Sequence, residues 1–404
     1  MGRITARDLV RSSRGRIDVV IADRERPASP IPGVSVVPLD VTDAASLRRA
    51  LAGAWATIAS LPYRFNLVAM EGALAAGAHY VDLGGLFHMT RRQLPLARAF
   101  ARRGRMAILG IGSAPGILNV LAARAARDLD VVSEVHCLVG ATDRTRYRET
   151  SPLGFGYSVD TLLDEFSMPS AVFRDRTWRM VPALDPGERV TVRFPAPIGP
   201  IPVDTTLHSE VATLPLYFKD RGIREVTFRQ GFDPAFMDRL AFLVRLGLAE
   251  TGEPPRLGGT PSRDSKRPAR RGRARADGAV PAPRDLLLRL LERLPKAVPL
   301  GRPVRHEVLR TVVRGRRRGR ALTVTTDCVV GPRAGGGVGP DIDTGAPPSI
   351  AVQLMLAGAI PLAPGVWAPE QAIPPEPFVR ELERRGMRVV ERRSSRARGA
   401  GATG

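Results

Sequence analysis

Two short stretches carry residues whose types and spacing suit chemistry. In the first, Gly2 heads a segment with apolar residues at Ile4, Ala6, Leu9 and Val10, and Asp23 closes the run DVVIAD. A glycine at a helix start lets backbone N–H groups reach a diphosphate, and an acid about 20 residues on, at the end of the next strand, can bond ribose hydroxyls. Gly2 thus fits the last glycine of a G-x-G-x-x-G fingerprint, although a chance glycine and an ordinary strand-end aspartate read the same way. In the second stretch, AHYVDLGG sets Tyr80 and Asp82 on one strand face and follows them with paired glycines that allow close backbone approach. Asp82 there can orient an ammonium group or relay a proton, or simply cap the next turn. His88, a few residues on, is an acid/base candidate or a solvent-exposed loop histidine.

These residues need elements to hold them. Up to about residue 140 the chain alternates strand-period and helix-period segments, which predicts a parallel α/β sheet. RIDVVIADRE and VSVVPLDVTD read as strands ending in acids, and WATIASLP reads as the next. Asn66 caps a helix, NLVAMEGALAAG, which Gly77 stops. AHYVDLGG is a strand, RQLPLARAFARRG a helix, MAILGIG a short buried strand, and GILNVLAARAARDL a helix launched from a Pro-Gly turn. Asp40, in PLDVTD, stands near an adenine or serves as a turn carboxylate. Ser60 and Pro62 lie where a strand delivers residues to the crevice at the carboxyl ends of a parallel sheet, while Pro62 equally just ends its strand.

Past about residue 130, VSEVHCLVGA, VTVRFPAP, TLHSEVATLP and EVTFRQGF alternate polar and apolar residues as antiparallel strands do. Helices are expected at SVDTLLDEF, AFMDRLAFLVRLGL, RDLLLRLLERL, PPSIAVQLMLAGA and EPFVRELERRG. The expected organisation is a parallel-sheet domain over residues 1–130 and a mainly antiparallel α+β domain over 131–390. An Arg-rich insert over about 252–284 lacks the apolar groups to offset its ordering entropy. Residues 391–404 are expected as a loose tail, and the helices over about 347–386 pack back on the first domain. In LHSEVATLP, His208 and Glu210 share one strand face and either line the cleft or form a surface pair. Tyr157, before SVDTLLDEF, is a weaker candidate.

Composition narrows the partners. The formal net charge of +21 comes almost wholly from arginine, since the chain has three lysines, Lys219, Lys266 and Lys296. Much of that arginine sits in RDSKRPARRGRARA, RGRRRGR and the C-terminal tail, so a solvated, compositionally biased origin is favoured over nucleic-acid binding. No run reaches the roughly 18 uninterrupted apolar residues of a membrane span, and no secretory signal opens the chain, so a cytoplasmic protein without a membrane partner is expected. Cys137 and Cys328 are too few and too far apart for a disulfide or zinc framework, and no metal site is expected.

Several segments together resemble the saccharopine dehydrogenase family and its lysine dehydrogenase relatives: GRITARDL, NLVAMEGALAAGAHYVDLGG, GIGSAPGILNVLA, YSVDTLLDEFSMPSAVFRD, LHSEVATLP and TGAPPSIAVQLMLAGAIPLAPGVWAPE. They keep the family's order and span most of the chain. The resemblance implies a Rossmann-like domain followed by an α+β substrate domain, a homodimer, and hydride transfer between NAD or NADP and a carbon bonded to nitrogen in a lysine-like amino acid or secondary amine. A polyamine- or opine-type reductase and a catalytically silent ligand-binding relative are the alternatives. Asp23 favours NAD by repelling a 2′-phosphate, whereas Arg24 and Arg26 can clamp one. In GIGSAPGILN, Gly110, Gly112, Pro115, Gly116 and Asn119 resemble the family's crossing into the substrate domain. They contact nicotinamide or substrate, or only fix the junction. The family's first strand and first two glycines do not precede Gly2, and we expect codons upstream of an internally assigned start to encode them. The alternative is a true truncation, which would leave sheet edges unpaired at a cost beyond the roughly 5 to 15 kcal/mol that stabilises a domain.

Overall fold

The computed structural model describes residues 1–26, 29–151, 153, 158–252, 281–295, 297–332 and 341–395. Helix α1 (Gly2–Ser13) turns Ala6 and Leu9 inward and ends at Arg14 in the left-handed region, φ 54°. Then follow β1 (Val19–Asp23), β2 (Val34–Pro38), α2 (Ala44–Ala50), β3 (Ala56–Ala59), α3 (Asn66–Ala75), β4 (His79–Asp82), α4 (Phe87–Gln93), α5 (Ala97–Arg102), β5 (Met106–Ile108) and α6 (Ile117–Ala126). All strand pairs in this part are parallel, as the βα alternation requires. They form two sheets: β1 with β2, and β3, β4, β5 in order. Among the described residues β1 pairs only with β2 and β3 only with β4.

The remainder contains β6 (Val131–Asp143), β7 (Tyr147–Glu149), α7 (Val159–Ser167), β8 (Ser170–Arg174), β9 (Thr177–Val181), β10 (Val190–Arg193), β11 (Pro200–Thr205), α8 (Glu210–Tyr217), β12 (Glu225–Gly231), α9 (Pro234–Arg245) and α10 (Pro283–Glu292). It closes with β13 (Val298–Pro299), β14 (Arg305–Arg317), β15 (Arg320–Val330), α11 (Asp341–Leu356), β16 (Gly365–Trp367), α12 (Pro369–Ala372), α13 (Pro375–Arg384) and β17 (Arg388–Ser394). A nine-stranded sheet runs β10-β11-β12-β6-β14-β15-β17, with β8 paired to β12 and β9 to β8. Only β12 and β6 pair in parallel there. Strand β16 leaves this region and extends the β3–β5 sheet beside β5. One continuous core joins the two parts: Val81, Ile108 and Ile117 belong to the same buried cluster as Cys137, Leu309 and Ile350.

Several expectations are corrected. TLHSEVATLP is not a strand: β11 stops at Thr205, and Glu210–Tyr217 is helix α8. Glu210 through Pro215 are all buried, so this helix has no polar face whose period could announce it. Asn66 does not cap α3. It is the helix's first residue, and its Nδ2 donates to the Gly84 carbonyl at 2.9 Å. Helix α11 starts at Asp341, six residues before the Pro-Pro pair, and holds both prolines inside. RGRRRGR, read as solvated, keeps its arginines exposed, in the hairpin where β14 turns into β15. Residues 391–394, placed in the tail, finish β17. The Arg-rich insert falls largely on 253–280, outside the described residues, and α10 begins at Pro283 within its expected span.

Helices α11 and α13 lock onto α1. The Thr5 hydroxyl donates to the Gly345 carbonyl at 2.8 Å. Asp8 accepts from Ser349 at 2.6 Å and from both Nε and Nη2 of Arg385 at 2.8 Å. Since Asp8 and Arg385 are almost out of water, these charge-assisted bonds fix the place of α1 against the C-terminal helices.

Candidate functional site

Helix α1 points its N-terminus at the carboxyl end of β3, where a Cβ built on Gly2 would lie 3.4 Å from the Ser60 Cβ. A larger residue at position 2 would push on that strand end. The Ile4 and Thr5 N–H groups bond the Met1 carbonyl. Among the described residues those of Gly2 and Arg3 meet no backbone acceptor, which leaves the helix start able to receive an anion. Asp23 stands exposed at the end of β1 and accepts the Glu25 N–H at 3.1 Å. Arg24 and Arg26 beside it are exposed, with Arg24 3.9 Å from Glu25. Asp40 turns back on its own loop instead. It accepts the Thr42 hydroxyl at 2.6 Å and N–H at 2.9 Å, bonds that hold its carboxyl below the usual range.

The ends of β4 and β5 are tied together by one carboxylate. Asp82 Oδ1 accepts the N–H of Gly110 at 2.6 Å and of Gly84 at 2.9 Å, and Oδ2 accepts Gln93 Nε2 at 2.8 Å. Asp82 is wholly buried. Burial pushes its carboxyl above the usual range, while these bonds pull it back down. Tyr80 is wholly buried too, its hydroxyl donating to the Asn66 carbonyl at 3.1 Å, and burial raises its phenol. The open strand face predicted for these two residues is therefore interior, and Asp82 spends its oxygens on the turns around it. The glycines also answer to their neighbours. Gly84 (φ 105°) and Gly110 (φ 68°) clasp Pro115, whose Cγ would lie 2.4 and 2.7 Å from Cβ atoms added there. Gly112 packs against the Leu83 and Pro115 carbonyls, and Ser113 bonds Thr344 at 3.0 Å, bringing the start of α11 to this turn.

A second polar group crosses from the end of β3 to α7. The backbone past Ser60 and Pro62 makes a tight turn that presents Tyr63, and its hydroxyl donates to Asp164 at 2.7 Å. Burial and Asp164 both raise the Tyr63 phenol. His88 meets the Tyr63 ring edge-on at 5.5 Å. It is the second residue of α4, half-buried, not an exposed loop histidine. Burial lowers its imidazole, so the neutral ring prevails, and its Nδ1 is buried without a partner. On the far side Asp164 and Asp160 share Arg284 of α10, and Asp160 also pairs with Arg64. Sequence reasoning stopped at Pro62 and missed Tyr63 and Asp164. Their one signal is the aromatic residue just past a strand end, which acquires meaning only when α7 is packed across from it.

The remaining candidates lie deeper. Asn119 is buried, accepts the Gly116 N–H at 3.0 Å and donates to Glu370 at 2.9 Å, so it ties the turn to α12 and does not line an open cleft. His208 stacks on Phe228 at 3.8 Å and bonds Glu210 through Nδ1, with Glu165 4.0 Å from Nε2. Burial works against its charged form, but Glu210 and Glu165 outweigh it and raise the imidazole. His208 and Glu210 are thus a buried pair at a helix start, where a strand face had been expected. Tyr157 lies outside the described residues.

Of the residues expected to meet a cofactor, Asp23 and Arg24 are exposed and the start of α1 and Ser60 half-buried, whereas Gly110 and Gly112 are buried and give their N–H groups to Asp82 and to the Pro115 carbonyl. The exposed and half-buried residues fit a dinucleotide, because an anion-ready helix start and a strand-end acid are what its parts need. Comparison with known proteins agrees. Residues 1–108 match the family model described as the saccharopine dehydrogenase NADP binding domain, and residues 112–387 match the saccharopine dehydrogenase C-terminal domain. The solved saccharopine dehydrogenase (L-Glu forming) from Saccharomyces cerevisiae is 18% identical, covers 98% of each chain and gives a TM-score of 0.68, so it shares the fold. An amine dehydrogenase from Mycobacterium smegmatis is 8% identical over 92% of this chain and 93% of that one, with a TM-score of 0.36.

Proposed function

Because the chain belongs to the saccharopine dehydrogenase family, an NAD(P)-binding oxidoreductase family, we propose that it acts at the C–N bond of a lysine-like amino acid or a secondary amine. The observation that carries this reading is the tandem match, whose two halves meet between residues 108 and 112, at the turn that holds Gly110.

Bound NAD(P) supplies or accepts the hydride. The chain's own residues do the rest. The free N–H groups at the start of α1 receive the diphosphate, and Asp23 takes ribose hydroxyls. Arg24 and Arg26 supply cations for a 2′-phosphate, leaving Asp23 the ribose 3′-hydroxyl, and with the match to an NADP binding domain they make NADP the expected coenzyme. His88, kept neutral by burial and with Nδ1 unspent, takes or returns the proton at the substrate nitrogen. Tyr63 orients it from the side and is held by Asp164. Asp82 positions both glycine turns and moves no proton, since all its bonds point inward.

The test is NADPH and NADH binding followed by a screen of amino-acid and secondary-amine donors for NAD(P)H formation. Binding with turnover of at least one C–N donor is expected, with His88→Ala lowering kcat about 100-fold and leaving nucleotide affinity unchanged. No affinity for either coenzyme overturns the reading. Affinity without turnover of any donor supports the silent relative instead, a reading favoured by the complete burial of Tyr80 and Asp82.

A further inference from the structure

The polar group around His88 holds one more cation than its own acids engage. Asp160 and Asp164 are matched by Arg64 and Arg284. Arg64 also lies over the Phe65 ring at 5.0 Å, and Arg91 lies over Trp178 at 4.7 Å. Arg92 differs from all three. It is exposed, and among the described residues it makes no hydrogen bond, ion pair or ring contact. Helix α4 sets His88 and Arg92 at i, i+4, one turn apart on the same face. Their proximity shows in the imidazole, which burial first and the Arg92 cation after it lower against the pull of Asp164. One face of α4 therefore carries a half-buried imidazole with its Nδ1 unpaired and, a turn further on, an unpaired guanidinium.

A guanidinium offers a planar fork of N–H donors that a carboxylate fills with two parallel bonds. In an α-amino acid the nitrogen and the carboxylate carbon are about 2.5 Å apart. Side chains at i, i+4 start from Cβ atoms roughly 5 to 6 Å apart, so one small molecule reaches both. Its nitrogen then meets His88 while its carboxylate meets Arg92. A donor without a carboxylate gains nothing from Arg92, and its ammonium is repelled by that unmatched positive charge. Resting on the reading of His88 as the group that serves the substrate nitrogen, we propose that Arg92 is a specificity-determining residue that binds the carboxylate beside that nitrogen. The donor is then an amino acid or a carboxylated secondary amine, and a carboxylate-free polyamine is excluded.

The test compares donors that differ only in the carboxylate, L-lysine with cadaverine and L-ornithine with putrescine, on the full chain. The carboxylated member of a pair should be favoured about 100-fold in kcat/KM. Arg92→Ala should cut that preference about 30-fold, chiefly by raising KM for the amino acid. Arg92→Lys should recover part of it, since an ammonium keeps the charge and loses the fork. Arg91→Ala, which removes the cation held on Trp178, should leave the preference within about threefold. Equal use of both members, preference for the carboxylate-free one, or an Arg92→Ala preference equal to wild type overturns the proposal. So does a fall in NADPH affinity in Arg92→Ala, which would give the guanidinium to the coenzyme. If no donor turns over, it is the reading of the reaction that fails, and titration of the NADPH-loaded protein with glutarate still decides the role of Arg92. Glutarate binding that Arg92→Ala weakens about tenfold supports the carboxylate site, and no binding or no difference overturns it.

Discussion

The turn between the ends of β4 and β5 and the joint among α6, α8 and α12 each hold a carboxylate away from water, with opposite surroundings. Asp82 is met by two backbone N–H groups and the Gln93 amide. Glu370 has Asn119 on Oε2 and nothing on Oε1, while Glu210 nearby also keeps a buried oxygen without a partner. Burial pushes Glu370 up to about 7, with Glu210 adding to the rise against its few hydrogen bonds. Backbone donors fixed by a turn convert a desolvated carboxylate into architecture. A carboxylate held mainly by side chains and facing another acid stays titratable near neutral pH.

The sharpest way to break this comparison is Asp82→Ala, which strands three buried donors at once. We expect a loss of about 4 kcal/mol in urea unfolding, together with weaker nucleotide binding as the turns part. A loss near 1 kcal/mol would show that the turns stand without the carboxylate. Gly84→Ala attacks the same turns from the backbone. A methyl group there lies at a positive φ and 2.4 Å from Pro115 Cγ, and about 3 kcal/mol of strain and overpacking is expected in the same assay.

Glu370→Gln tests the other region through pH. The carboxyl titrates at about 7 in the fold against 4.5 ordinarily, so between those values the folded chain keeps a proton that the unfolded chain has released. Its contribution is whole below about pH 4.5 and is lost as pH climbs through 7. Unfolding at about pH 5 and pH 8 should show the wild-type decline reduced in the variant by on the order of 3 kcal/mol. Glu307, pushed to about 8 by burial and by Asp341, keeps a residual slope in both proteins. An unchanged slope would show that its hydrogen bonds compensate the burial of Glu370. The smallest effect belongs to the exposed rim. Replacing Arg24 and Arg26 with alanine should weaken NADPH by roughly five- to tenfold and leave NADH unmoved, measured by fluorescence titration.

How much was legible depended on whether a residue's partners were close in sequence. The βα alternation, the strand-end positions of Asp23 and Ser60, and the glycines around Pro115 follow from local period and turn chemistry, and the structure keeps each where it was expected. Asp82 was picked out correctly as a residue with a task, but that task depends on Gly110 and Gln93, which the folded loops bring to it. Helix α8 escaped because Glu210 through Pro215 are all buried and its exposed end, Leu216 and Tyr217, is apolar, so it shows no amphipathic stripe. Tyr63 and Asp164 lie 101 positions apart, and no spacing rule reaches that far.

Sequence alone determined that the chain alternates into parallel strands, that a mainly antiparallel part follows, and that the saccharopine dehydrogenase family shares its motifs. Those properties are written in periodicities of two and three or four residues and in turn residues whose backbone needs are local. Only the tertiary structure decided which carboxylates are spent and which remain free, because desolvation and hydrogen bonding are set by neighbours from distant segments. Asp82 and Glu370 are both acids beside small turns in the sequence. Packing alone surrounds one with backbone donors and leaves the other half-paired against Glu210.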